Sequence, residues 1–362
     1  MEIPLANPSL DEEMLSEAHR VLEEEFFVGG ETVSRFESEL ETYFEVNHAI
    51  AVDSGTKALQ LALEGKGIGE GDTVLTTPAT FIATANAIVQ TGATPRFVDI
   101  DLDTYGPDLS EVKRIVEMEE IDAILPIHLY GYPMDIERLR DIAGDIPIIS
   151  DACQAHGAMR NGRKIGSIAD AAALSFYPSK NVTVAGDGGA ILTDDNSLAR
   201  AARSLRDVGR SESGYHHERI GYTARLNTVN AAIGRIQIQR LDEWNGRRQE
   251  VAARYTEEFS DLDIHLPPSA DENVTPAWYF YTIRSEQRDA LREYLDENGI
   301  ETGRQYRCPV HLQPPYREMG YSEGDFERAE QWSETVLTLP CHQHLSEQQV
   351  DYLVKHLRGF FQ

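Results

Sequence analysis

The sequence predicts an α/β protein with a large domain, built on a mostly parallel seven-stranded sheet, and a smaller C-terminal α+β domain. Between about residues 48 and 195, short apolar runs rich in β-branched residues alternate with stretches of helical periodicity. This alternation is typical of βα units around a mostly parallel sheet. A single long amphipathic pattern and a smaller mixed segment complete the chain.

Seven segments in the first part of the chain have the apolar, β-branched character of strands. They are His48–Asp53, Thr73–Thr77, Thr94–Val98, Ala123–Pro126, Pro147–Asp151, Ala171–Phe176 and Ala190–Thr193. Helical patterns lie between them, at Thr56–Leu63, Phe81–Gln90, Leu109–Met118 and Ile136–Ala143. In open α/β sheets, ligands bind at the carboxyl ends of the strands, so we expect a site at that edge.

The long amphipathic pattern runs from Asn227 to about Phe259, with apolar residues at helical spacing. We place the domain boundary within this helix. Residues 1–240 then form the large domain, and residues 241–362 form the small one.

Charge is the unusual bulk property of this chain. Asp and Glu total 61 against 33 Lys and Arg, which gives a formal net charge of −28. Such a field repels nucleic acids and anionic membrane surfaces, so neither is an expected partner. The acidic residues are spread along the chain, which indicates either a protein from a high-salt cytoplasm or an ordinary acidic enzyme.

The sequence also bears on the compartment. The N-terminus MEIPLANPSL lacks the basic and apolar regions of a signal peptide, and no apolar run approaches the roughly 18 residues that a membrane helix needs. Cys153, Cys308 and Cys341 fit neither a disulfide framework nor a metal-ligand spacing. We therefore expect a cytoplasmic protein with free thiols and no metal site.

Two of the predicted strands are followed by residues that suit a phosphorylated, planar ligand. Ser54-Gly55-Thr56-Lys57 follows the first strand and opens a helix, where free N–H groups and the helix dipole favour a phosphate. An ordinary strand-to-helix turn would look the same. Phe81 comes shortly after the second strand and offers an aromatic face for a planar ring, although a single Phe is also compatible with a core position.

A carboxylate ends the fifth predicted strand. Asp151 could keep a pyridine nitrogen protonated through a charge-assisted hydrogen bond, which would make the ring an electron sink. Gln154, one helical turn further on, could donate to a ring hydroxyl. The alternative for Asp151 is the N-cap of a following helix.

A hydroxyl and an amine follow the sixth predicted strand five residues apart. Ser175 suits a phosphate, and the Lys180 amine suits attack on an aldehyde. A single loop lysine is usually only solvated, so the spacing gains weight from the other strand-end residues.

These stretches together resemble the DegT/DnrJ/EryC1/StrS family of sugar aminotransferases, which have the aspartate-aminotransferase-like architecture called fold type I. The resemblance covers nearly the whole chain, from Phe27 to the end. The matching segments are SGTKALQLAL, TPATFIATANAI, FVDIDLDTY, PIHLYGYPMDI, DACQAHGA, SFYPSKNVTVAGDGGAILTDD, RLNTVNAAIGRIQI, PVHLQPPY and VLTLPCHQHLS. The resemblance implies pyridoxal 5′-phosphate (PLP) as the cofactor.

The resemblance assigns four residues to the cofactor ring. Lys180 is implied as the Schiff-base lysine and Asp151 as the partner of the pyridine nitrogen; these two are the expected catalytic residues. Gln154 is implied near the ring hydroxyl, and Phe81 is implied as the residue that stacks on the ring.

The phosphate contacts are also implied by the resemblance. Gly55, Thr56, Lys57 and Ser175 match the positions that hold the phosphate within one subunit. Asn227 resembles an asparagine that a neighbouring subunit donates to the same phosphate, which implies a homodimer with shared active sites.

The substrate side is implied less sharply. Tyr306, His311 and Gln313 lie in the C-terminal segment that usually faces the sugar nucleotide, although a proline-bounded surface loop explains them equally well. Four arginines are further candidates for contacts with anionic ligands, unless they are paired with surface carboxylates. They are Arg206, Arg225, Arg304 and Arg307.

The resemblance implies amino transfer, with L-glutamate as donor, onto the keto group of a nucleotide-linked sugar. A family member that acts on a non-nucleotide cyclitol or keto substrate is one alternative, and a non-catalytic PLP-binding regulator is another. A related branch that dehydrates sugars has a histidine in place of the lysine, so Lys180 argues against that activity.

Overall fold

A computed structural model describes residues 1–211, 213–270 and 272–362 of the chain. Twelve strands are present in these residues. They are β1 His48–Val52, β2 Thr73–Thr76, β3 Thr94–Phe97, β4 Ala123–Ile124, β5 Ile149–Asp151, β6 Met159–Arg160, β7 Arg163–Lys164, β8 Ala171–Ser175, β9 Gly189–Thr193, β10 Val274–Thr275, β11 Tyr281–Arg284 and β12 Val336–Leu339.

Twelve α-helices accompany the strands in the same residues. They are α1 Glu12–Glu24, α2 Glu31–Phe44, α3 Gly55–Gly65, α4 Ile82–Gln90, α5 Leu109–Met118, α6 Ile136–Ala143, α7 Asn196–Arg206, α8 Thr228–Glu258, α9 Arg288–Glu297, α10 Pro314–Arg317, α11 Glu327–Thr335 and α12 Glu347–Phe361. Short 3-10 helices occur at Leu129–Gly131 and Val310–Leu312.

The central sheet contains all seven predicted strands. Hydrogen bonds order them as β1-β9-β8-β5 and β3-β2-β4, and parallel bridges from Ile124 to Ile148 and from Ile127 to Asp151 join the two groups. The pairs β5–β8, β2–β3 and β2–β4 are parallel, while β9 runs antiparallel to both β1 and β8. The prediction of a mostly parallel sheet is therefore confirmed.

Helices cover both faces of this sheet. Along β1, the alternating side chains of Ala49 and Ala51 join a core with α2 and α8, while those of Ile50 and Val52 join a core with α3 and α7. All four residues are buried. Because neighbouring residues of a strand point to opposite faces, an apolar run without polar interruptions is what a sheet buried on both sides requires.

The predicted helices are present at the predicted places, and polar caps explain where several of them begin. Ser54 accepts a hydrogen bond from the backbone N–H of Lys57 at the start of α3, at 3.2 Å. Asp108 and Asp135 accept in the same way at the starts of α5 and α6. Such side chains satisfy donors of the first turn that have no partner within the helix.

A separate core lies in the C-terminal part of the fold. The antiparallel pair β11–β12, helices α9 and α12, and the second half of α8 with Val251 and Tyr255 build it. Ile3 is buried in this same core and pairs in parallel with Ile300, so the first residues of the chain pack on its last third. The division near residue 240 stays a prediction.

No helix in the described ranges combines the length and the apolar character that crossing a membrane would require.

Candidate active site

A cavity of about 590 Å³ opens at the edge of the sheet where β1, β5 and β8 end. We call it the main cavity. It is lined by eight of the residues singled out from the sequence, namely Gly55, Thr56, Phe81, Asp151, Gln154, Ser175, Lys180 and Tyr306. Segments that are distant in sequence thus converge at the place that the strand-end rule predicts.

The N-terminus of α3 forms one end of the main cavity. The N–H groups of Gly55 and Thr56 have no acceptor within the helix because they belong to its first turn. A Cβ atom on Gly55 would lie 2.6 Å from Cβ and 3.1 Å from Oγ of Ser175, so the helix start and the serine hydroxyl are packed together. This end of the cavity suits a phosphate group.

Lys57 differs from its expected role. Its Nζ atom donates to Oε1 of Gln60 at 2.6 Å and lies 4.2 Å from the ring centroid of Tyr222. The side chain is therefore directed at these two residues rather than into the main cavity. The phosphate contact of Lys57 stays a prediction.

Asp151 also lines the main cavity and is buried. Its Oδ2 accepts from the Thr84 hydroxyl at 2.7 Å, and its Oδ1 accepts from the backbone N–H of Cys153 at 3.1 Å. No helix begins after Asp151, because the chain continues through turns to β6. The alternative of a helix N-cap is therefore wrong, and so is the expected helical turn between Asp151 and Gln154.

Thr84 is a residue that the sequence analysis missed. Its hydroxyl lies 2.9 Å from that of Thr80 and donates to Asp151. The two threonines are four residues apart at the start of α4, in the same segment as Phe81, so helical spacing from Thr80 was the available signal.

Gln154 and Tyr306 form a hydrogen-bonded pair on one wall. The Gln154 amide donates to the Tyr306 hydroxyl at 3.2 Å, while its Oε1 accepts from the backbone N–H of Tyr130 at 2.9 Å. Burial, with the nearby Tyr279 and Asp151, raises the pKa of Tyr306 well above its usual value. Tyr306 is thus a neutral phenol that packs against Phe81 with ring centroids 5.6 Å apart.

The Lys180 amine is free to react. Its Nζ lies 4.1 Å from the ring centroid of Tyr279, and within the described ranges no hydrogen bond or ion pair engages this amine. Tyr279 is in turn fixed by a 2.8 Å hydrogen bond between its hydroxyl and that of Ser179. Tyr279 was also missed. It lies 99 residues after Lys180 in the chain, and no local sequence pattern marks it as a neighbour of that lysine.

Cys153 also lines the main cavity. Burial, together with the charge of Asp151, raises the pKa of its thiol well above the usual value. The thiol is therefore neutral, and Lys180 is the group in this cavity that suits attack on an aldehyde.

Besides Lys57, three of the predicted site residues lie outside the main cavity. Asn227 is exposed and caps α8, accepting from the backbone N–H of Asn230 at 2.8 Å. His311 is fully buried, with Nε2 3.0 Å from Oε1 of Glu330, and its contact with a substrate stays a prediction. Gln313 lines a smaller adjoining cavity.

The four candidate arginines fall into two groups of two. Arg206 is paired with Glu37 and donates to the carbonyl oxygen of Ala51, and Arg225 is paired with Asp207 at 2.9 Å. For these two, the alternative of pairing with carboxylates is correct. Arg304 and Arg307 line the same smaller cavity as Gln313.

The main cavity fits a phosphorylated pyridine aldehyde. It offers a phosphate site where α3 begins, a buried carboxylate for a ring nitrogen, a neutral hydrogen-bonding pair beside the ring and a free amine for the aldehyde. Each of these features is a side chain or a helix end of this chain, so the cofactor implied by the resemblance has a complementary partner for each of its groups.

Comparisons with known proteins agree with this geometry. The model of the DegT/DnrJ/EryC1/StrS aminotransferase family matches residues 8–358. The dTDP-3-amino-3,4,6-trideoxy-alpha-D-glucose transaminase of Streptomyces venezuelae is 43% identical over 344 residues, which are 94% of this chain and 89% of that relative.

Two solved structures are also similar to the chain. DesV of S. venezuelae, in complex with a ketimine intermediate, has a TM-score of 0.94 and 40% identity, and the match covers 99% of both chains. Spr1654 from Streptococcus pneumoniae in its PLP form has a TM-score of 0.93 and 26% identity, over 99% of this chain and 98% of its own. The chain therefore belongs to the DegT/DnrJ/EryC1/StrS aminotransferase family and is a PLP-dependent transaminase of fold type I.

Proposed function

We propose that this transaminase moves an amino group from L-glutamate to the keto group of a nucleotide-linked sugar, in the biosynthesis of an amino sugar or surface glycan. The observation that carries the chemical part is the unpaired Lys180 amine in one cavity with the buried carboxylate of Asp151. The substrate class is supported by the relative that is named for a dTDP-linked sugar.

Asp151 and Lys180 are proposed as the catalytic residues. When bound, PLP supplies the electron sink that stabilises negative charge at the α-carbon of the amino acid. Asp151 keeps the ring nitrogen protonated, because its carboxylate is buried and held by Thr84 and Cys153. Lys180 would hold the cofactor through its amine, and the same amine would move the proton at the α-carbon of the donor.

The remaining residues position the cofactor in this proposal. Gly55, Thr56 and Ser175 bind the phosphate through free N–H groups and a hydroxyl. Gln154 donates toward the ring hydroxyl, and Phe81 covers a face of the ring. Phe81 is 52% exposed in the single chain, as expected for a side chain whose partner is a ligand.

We also propose a homodimer in which Asn227 serves the partner's phosphate site. Asn227 pairs with Val28 in a short bridge, beside the exposed side chains of Phe26 and Phe27. These two rings are 79% and 60% exposed, and apolar patches of this kind are typical of subunit contacts. A dimer contact there would bring Asn227 to the surface of a second chain.

The free thiols of Cys153, Cys308 and Cys341 support a cytoplasmic location in this proposal. The charge of −28 supports a high-salt cytoplasm and disfavours nucleic acids and anionic membranes as partners. The alternative of a non-catalytic regulator is not favoured, because a regulator has no need of a reactive lysine beside a buried carboxylate.

The two half-reactions test the proposed function separately. Mixing the PLP enzyme with L-glutamate should shift its absorption spectrum and release 2-oxoglutarate. Adding keto-sugar nucleotides to the aminated enzyme should then restore the first spectrum and yield an amino sugar, identified by mass spectrometry. Restoration by keto acids or cyclitols, with none by sugar nucleotides, would contradict the proposed substrate class.

A further inference from the structure

A second cavity of about 220 Å³ adjoins the main cavity. We call it the side cavity. Phe81 and Tyr306 line both cavities, so a ligand that passes these two rings can occupy both. The side cavity is further lined by Arg304, Arg307 and Gln313.

The two arginines of the side cavity are engaged by at most one carboxylate in this acidic chain. Arg307 is exposed and forms no ion pair or hydrogen bond with any residue that the structure describes. Arg304 reaches Oδ1 of Asp289 only at 3.4 Å, and its buried Nε has no acceptor within the described ranges. The 61 acidic residues of the chain thus leave Arg307 without a carboxylate partner among the described residues and Arg304 with a single one.

Charge is concentrated around Arg304. Burial, and then the positive charges of Arg288 and Arg307, lower the pKa of Arg304, and Asp289 offsets this only in part. The Arg288 guanidinium is itself occupied, because its Nε lies 2.7 Å from Oδ1 of Asp289. An anion in the side cavity would therefore remove a repulsion that the protein alone leaves uncompensated.

We infer that Arg304 and Arg307 form a subsite for a phosphoryl group of the sugar nucleotide, with the sugar reaching past Phe81 and Tyr306 toward Lys180. The inference rests on the proposed function for the identity of the ligand. The planar guanidinium of arginine matches two oxygens of a phosphate at once. The Gln313 amide adds a polar group that can donate to a phosphoryl oxygen or to a nucleotide base.

A carboxylate of the amino donor is the other anion that could use the same chemistry. The two carboxylates of glutamate are about one and about three bonds from the carbon that reacts beside Lys180, so both lie nearer to this carbon than a phosphoryl group does. A phosphoryl group is separated from the keto carbon by the sugar ring. A separate cavity beyond two aromatic side chains fits the longer of these two distances.

The test measures the binding of dTDP to the PLP enzyme by calorimetry. Arg307→Ala and Arg304→Gln should each weaken dTDP binding about ten- to a hundredfold, since a hydrogen bond to a charged group contributes on that scale. Arg307→Lys should recover only part of the affinity, because it keeps the charge but not the paired donors. Arg138→Ala is the matched control, because it removes an exposed arginine of α6 whose side chain forms no ion pair with the described residues.

The glutamate half-reaction distinguishes the two sources of the anion. Arg307→Ala should leave the KM for L-glutamate unchanged while dTDP binding weakens. Unchanged dTDP affinity in both arginine variants, or no dTDP binding by the unaltered enzyme, would overturn the inference. A raised KM for glutamate with unchanged dTDP affinity would overturn it in favour of a donor carboxylate. If the unaltered enzyme does not react with glutamate, the proposed function fails instead.

Discussion

Two lysines that both follow strands illustrate how the surroundings decide the role of a residue. Lys57 is occupied by the Gln60 amide and the Tyr222 ring, while the Lys180 amine has only the face of Tyr279 beside it. The sequence placed both residues at a cofactor. Tyr222 and Tyr279 lie far from the two lysines in the chain, and the sequence around each lysine gives no signal of these ring contacts.

The first prediction concerns Asp151. Asp151→Asn should retain PLP but reduce kcat by about 10²-fold or more, because a neutral amide cannot stabilise a protonated ring nitrogen. Thr84→Val removes one donor to the carboxylate and should give a smaller loss. Steady-state kinetics with matched PLP occupancy measures both effects. Unaltered turnover in Asp151→Asn would leave the carboxylate without a catalytic role.

At the scale of the elements, the strands were predictable from short apolar runs, and the helices from their periodicity and, in several cases, from a polar cap. The direction of β9 was not, since an apolar strand buried on both faces has the same sequence pattern in either direction. The contribution of Leu5 and Tyr279 to the main cavity was also beyond local patterns, because these residues lie far from Lys180 in the chain.

The junction of α3 with β8 gives the second prediction. Gly55→Ala places a methyl group 2.6 Å from Ser175, so the helix start or the serine must shift, at a cost of about 1–3 kcal/mol. PLP affinity of the apoenzyme should fall about tenfold. Gly246→Ala is the control. Gly246 lies within the long helix α8, and a Cβ atom added there would have no neighbouring atom within 4 Å. Equal PLP affinity in Gly55→Ala and the unaltered protein would refute this account of the phosphate site.

At the scale of the whole molecule, charge affects the stability of the fold and assembly affects the active site. The formal net charge of −28 destabilises a compact chain through self-repulsion, and molar salt screens that repulsion. The active site depends on the C-terminal segment of the same chain and, in our proposal, on Asn227 of a second chain.

The third prediction follows from the charge. If the protein is adapted to a saline cytoplasm, its melting temperature should rise steeply between 0.1 M and 1 M KCl, over which the Debye length falls from about 10 Å to about 3 Å. Thermal unfolding followed by circular dichroism measures this. A melting temperature that does not change with salt would indicate an ordinary acidic enzyme.

The fourth prediction follows from the shared site. Asn227→Asp keeps the cap of α8, because aspartate caps helices as well as asparagine does, but it places a negative charge against the phosphate and should abolish activity. Subunit exchange with inactive Lys180→Ala should restore roughly a quarter of the activity. Roughly half of the dimers are then mixed, and one of the two sites in each mixed dimer is intact. Full activity of Asn227→Asp alone, or exchanged mixtures that stay inactive, would exclude shared sites.

The attachment of the cofactor to Lys180 is the most direct test of the central claim. Borohydride reduction of the PLP enzyme, followed by digestion and mass spectrometry, should find the reduced cofactor on the peptide that contains Lys180. Lys180→Ala should carry no cofactor there and should lose essentially all transamination. Cofactor attached to a different lysine, such as Lys57, or full activity in Lys180→Ala would contradict the account.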